Sequence, residues 1–172
     1  TITDNSGYTN ESTPALTLSA TGADSMAFSL NGTIWSTYET YSTSKNDLDI
    51  SSGGDGLKKI YVKFKDLAGN ITDGTLFDST TFDGTLPTVA ISSLTASPTK
   101  ISPVPVTITF SEDMVGFTVD DLTISNGNGS DFTNVTPYKV WSINVSPLSD
   151  GAVTVNLNSA IATDSAGNGN IA

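Results

Sequence analysis

The chain has 172 residues and a net charge of −11, with 15 Asp, 3 Glu, 7 Lys, 49 Ser plus Thr and 15 Gly, and it contains no Arg, His or Cys. Without His or Cys there is no Ser-His-Asp triad, no thiol nucleophile, no ordinary zinc site and no disulfide framework. An acidic balance without Arg argues against nucleic acid or an anionic membrane as partner.

No apolar run approaches the roughly 20 residues that span a bilayer, so no membrane insertion is expected. The opening stretch TITDNSGYTN has neither the charged nor the apolar region of a secretion signal, which leads us to expect a soluble piece of something longer. Asn31-Gly32 is a turn signal. In the following TIWSTYETY, a regular strand would put Trp35 and Tyr41 on one face and Tyr38 on the other. An exposed row of this kind would suit a sugar, whereas a buried Trp35 would be core.

After the Gly53-Gly54-Asp55-Gly56 turn, KKIYVKFKD alternates, with Ile60, Val62 and Phe64 on one face and Tyr61, Lys63 and Lys65 on the other. This reads as a half-buried antiparallel strand. It ends in KDLAGN, whose Asp66 suits a tight turn. The Asp side chain can accept backbone N–H bonds two residues on, and Gly69 supplies a positive φ. Asp73-Gly74 marks another turn before the TLFDSTTF strand. FDGTLPTVAIS is the expected join, where Pro87 restricts Leu86 to extended conformations and makes any linker short and stiff.

Beyond it, PVTITFSED puts Val106, Ile108 and Phe110 on one face, with Glu112 and Asp113 at the strand end and Asp120-Asp121 expected to open the next strand. Asn126-Gly127-Asn128-Gly129 and Asp150-Gly151 read as turns, the former as part of an Asn-rich loop over 126–131. YKVWSINVS alternates Trp141, Ile143 and Val145 as core, and GAVTVNLNS does the same with Val153, Val155 and Leu157. TDSAGN then repeats the earlier motif at Asp164, 98 residues after Asp66. That offset is the length of one sandwich module. The expected fold is all-β, with two tandem antiparallel β-sandwiches at 1–83 and 84–172, the second with an incomplete last strand.

The two halves, LSATGADSMAFSLNGTIW…FKDLAGN and VPVTITFSEDMVGF…ATDSAGN, each resemble a class of bacterial immunoglobulin-like repeat. The resemblance implies Ig-like sandwiches from the extender region of a large surface adhesin of the RTX-adhesin kind. It implies an extracellular protein, on the bacterial surface or secreted, whose partners are neighbouring repeats of the same chain. Modules of this type often bind Ca²⁺ near their junctions. An Asp-rich chain can supply the oxygen ligands that Ca²⁺ takes, and the candidates are Asp66, Asp83, Glu112, Asp113 and Asp164. If the loop after TITF and the loop carrying Asp164 share a pole, Glu112 and Asp164 can meet on one ion.

The expected function is therefore a non-catalytic spacer or stalk, rigidified by Ca²⁺. The alternatives are a module that binds glycan or a host cell-surface protein through Trp35, Tyr38 and Tyr41, or an ancillary domain of a secreted hydrolase. Catalysis is not expected. Adjacent carboxylates such as Glu112 and Asp113 point to opposite faces of a strand and cannot flank one bond.

Overall fold

The computed structural model describes residues 1–4 and 6–172, which are all-β apart from a single three-residue 3₁₀ turn. The chain divides into two compact units, Thr1–Gly84 and Thr85–Ala172.

The first unit contains β1 (Tyr8–Thr9), β2 (Leu16–Thr17), β3 (Ser25–Ser29), β4 (Glu39–Thr40), β5 (Ser44–Lys45), β6 (Gly56–Lys65) and β7 (Phe77–Phe82). A five-stranded sheet runs β1-β7-β6-β3-β4, and β2 pairs with β5 in a small second sheet. β1 lies parallel to β7, and the other pairings are antiparallel. The alternation in β6 sends Ile60 and Phe64 into a core with Leu16, Met26, Phe28, Ile50 and Phe82. Each fully buried side chain of this size contributes about 1.5–3 kcal/mol.

The aromatic stretch departs from the regular strand expected of it. Only Glu39 and Thr40 are in a strand, because Ser36 closes back on β3, its N–H on Phe28 O at 2.8 Å and its Oγ accepting Phe28 N–H at 3.0 Å. Tyr41 turns inward, packs edge-on against Phe64 at 5.9 Å and accepts Ala20 N–H at its hydroxyl. Trp35 is half-buried.

The second unit contains β8 (Val89–Ser92), β9 (Val104–Phe110), β10 (Leu122–Ser125), β11 (Gly127–Thr136), β12 (Val140–Pro147) and β13 (Thr154–Leu157). One sheet runs β11-β12-β9-β8, and β10 pairs with β13 in the other. Val106, Ile108 and Phe110 from β9 and Trp141, Ile143 and Val145 from β12 face Leu157 and Ala162 across the core. Phe110, Phe117 and Trp141 meet edge to face at 4.9–5.5 Å, geometry favoured by the ring quadrupole.

The structure departs from the sequence-based expectation at two further places. Asn126-Gly127-Asn128-Gly129 is not a loop, because β11 begins at Gly127 and runs for ten residues against β12. An ideal Cβ at Gly127 would stand 2.8 Å from Val145 Cγ1, and one at Gly129 would stand 2.7 Å from Ile143 Cδ1. These glycines let the strand close onto the core, and turning is the task of Asn126 just before them, at φ 54°. Asp120 and Asp121 do not open a strand either. They sit in the 3₁₀ turn Val119–Asp121, where Asp121 Oδ2 accepts Thr118 N–H at 2.7 Å, and β10 starts at Leu122. The C-terminal residues make single bridges, Thr163 to Gly169 and Ile171 to Thr88, the latter parallel. Pro87 is buried, and its carbonyl accepts Ile171 N–H at 2.8 Å.

Candidate metal centre

Both copies of the repeated motif fold into the same turn. In each, the Asp N–H donates to the Asn carbonyl four residues on, at 3.1 Å, and the Gly N–H returns to the Asp carbonyl. The Asn then donates its own N–H and its Nδ2 to the Asp carboxylate, at 2.8 and 2.8 Å around Asp66 and at 2.9 and 2.8 Å around Asp164. Surroundings separate the two. Asp66 is half-buried beside exposed neighbours, and its hydrogen bonds from Asn70 hold its carboxyl below the ordinary value of 3.8. Asp164 is only 4% exposed.

Asp164 is also held more firmly. Its Oδ1 accepts Ala166, Gly167 and Asn168 N–H at 2.8, 2.8 and 2.9 Å, while Oδ2 takes the Asn168 amide. An ionised carboxylate offers about four lone-pair sites. Three donors saturate Oδ1, which leaves Oδ2 as the oxygen with capacity for another ligand. The tail below this turn is fixed by the buried Asn170. Its Oδ1 accepts Ile161 and Ala162 N–H at 3.1 and 3.0 Å, and its Nδ2 donates to Asn158 O at 3.0 Å. Asn170 was not legible as a site-building residue, although it follows the motif directly in the run Ala166-Gly167-Asn168-Gly169-Asn170.

The loop after β9 reaches this turn through the antiparallel bridge between Val115 and Thr163, with Val115 N–H on Thr163 O at 2.7 Å. The two loops therefore share a pole. Glu112 and Asp164 of the second unit each present a carboxylate oxygen, and the two lie within 4.8 Å of each other. Asp83 belongs to the first unit, where its N–H donates to Thr9 O at 3.0 Å. Two oxygens bound to one Ca²⁺ at 2.3–2.6 Å can be at most about 5 Å apart, so this spacing is compatible with a common ion. Two carboxylates this close repel by roughly 3 kcal/mol or more at a protein-like dielectric, a cost that a divalent cation reverses. Asp66 and Asp113 are outside the group, and Asp113 is exposed.

The two facing sheets, with the first strand segment running parallel to the last, define an immunoglobulin-like sandwich. The chain belongs to the bacterial Ig-like domain family, whose profile matches residues 83–172 and so takes in Glu112 and Asp164. No curated protein and no solved structure matches the chain significantly. Domains of this family are in general non-catalytic structural modules and typically occur in extracellular or surface proteins. Among the described residues no helix is long and apolar enough to cross a membrane.

Proposed function

We propose that Glu112 and Asp164 bind one Ca²⁺ ion within the second unit, and that the chain is a calcium-stiffened spacer in a bacterial surface or secreted adhesin-like protein. The observation that carries this reading is the approach of two carboxylates from separate loops of that unit, Asp164 being buried and already oriented by three backbone N–H groups. An ion there would tie the loop after β9 to the closing turn and stiffen the module, which is what a stalk requires. The first unit is read as a second Ig-like module, supported by β1 running parallel to β7 as Thr88 does to Ile171. Its partners in this reading are neighbouring Ig-like repeats of the same parent chain.

Isothermal titration of chelator-treated protein tests the ion. One Ca²⁺ per chain should bind, more tightly than Mg²⁺, which dehydrates reluctantly and demands near-octahedral geometry. Glu112→Gln, which leaves the Asp164 turn intact, should abolish the heat. No heat with the unaltered protein would rule out the centre.

A further inference from the structure

The outer face of β6 carries Lys59, Tyr61, Lys63 and Lys65, opposite the face that buries Ile60 and Phe64. Three of these side chains are ammonium groups set against aromatic rings. Lys59 Nζ is 4.9 Å from the Phe77 centroid, Lys63 Nζ 4.0 Å from that of Trp35, and Lys65 Nζ 4.4 Å from that of Tyr38. Tyr61, between Lys59 and Lys63, packs on Phe77 at 5.3 Å. Phe77 and Tyr38 are exposed. The turn at Gly74 makes room for the middle pair, since a Cβ there would run into Lys63 Cε and stand 3.2 Å from Trp35 Cζ2. The ion pairs found among the described residues, Lys45 with Glu39 and with Asp47, lie elsewhere.

A chain of net charge −11 thus keeps a row of cations on one strand face, interleaved with rings. Lys59 and Lys65 are six residues apart, or about 20 Å along a strand, so the row presents about one charge per 10 Å. Duplex DNA carries one charge per about 1.7 Å, far denser than this row. A polyuronate, whose carboxylates are spaced by a sugar ring or more, matches it better, and the apolar C–H faces of its rings can lie against the exposed sides of Phe77 and Tyr38. Beyond about 8 Å the protein's net negative charge is largely screened at physiological ionic strength, so the local row governs contact. We propose that the outer face of β6 binds an acidic polysaccharide of the uronate type, its carboxylates on Lys59, Lys63 and Lys65 and its rings on Tyr61, Phe77 and Tyr38.

The test is calorimetric titration of the full chain with an oligogalacturonate, in EDTA so that calcium plays no part. Binding should appear, weaken with added salt, and be absent with a neutral oligoglucoside. Lys59→Gln and Lys63→Gln should each weaken it about tenfold, the effect of one lost charge-assisted hydrogen bond. Lys59 is exposed, so its variant keeps the test valid if Lys63→Gln disturbs folding. No binding of the oligogalacturonate, unchanged binding in Lys59→Gln, or equal affinity for an oligoglutamate peptide would each overturn the proposal.

Discussion

Asp66 and Asp164 occupy the same turn, yet they should respond very differently to truncation. Asp164→Ala removes the acceptor for four donors in a buried site. Hydrogen bonds to a charged group contribute about 1.5–3 kcal/mol each and do not add fully, so a loss of about 3 kcal/mol or more is expected in urea unfolding. Asp66→Ala should shift the midpoint far less, because its partners there are open to water. Equal losses would mean that the turn alone sets the energy.

Acid titration probes the same scale. Asp66 is held below 3.8 mainly by the Asn70 side chain, Asp73 by Thr75 N–H and Asp47 by Lys45. A carboxyl whose folded value is depressed stabilises the fold above its unfolded value, and that stability fades as pH falls through the folded one. Stability of the first unit should therefore be flat near neutrality and decline only below about pH 4. A decline already at pH 6 would contradict these assignments. The turn itself was legible from Asp, Gly and Asn at their spacing. Which copy gained carboxylate neighbours was not, because that depends on the Val115–Thr163 bridge between segments distant in sequence.

At the level of strands, alternation identified β6, β9, β12 and β13 with their inward faces, since period two is fixed by the pleat. It failed at Gly127 and Gly129, whose Asn-Gly pairs carry the same signal whether glycine serves a turn or a close approach to the core. Gly127→Ala must push against Val145 Cγ1 and Val153 Cγ1, stiff β-branched groups, and should cost about 1–3 kcal/mol. Gly129→Ala meets the movable Cδ1 ends of Ile143 and Ile124 and should cost less. Chemical denaturation of the two variants gives the order. Trp141 sits within the Phe110–Phe117 ring cluster, and its truncation to Ala should cost about 3–5 kcal/mol. Trp35, half-buried under Lys63, should cost less than Trp141. The reverse order would mean that the aromatic stretch, despite its irregular backbone, anchors the first core.

For the molecule as a whole, an all-β bacterial Ig-like protein without His or Cys has carboxylates as its principal means of holding a metal. The proposed ion would join the loop after β9, at Glu112, to the closing turn of the family domain, at Asp164. An ion bound only by the folded state adds about 2.7 kcal/mol when its free concentration is 100 times its dissociation constant. The most direct measurement is thermal unfolding of the intact chain in Ca²⁺, in Mg²⁺ and in EDTA, alongside Glu112→Gln. The account predicts a midpoint about 10 °C or more higher in Ca²⁺ than in EDTA, and no such rise in the variant. Superimposable curves in Ca²⁺ and EDTA would contradict it and leave Glu112 and Asp164 as neighbours without an ion.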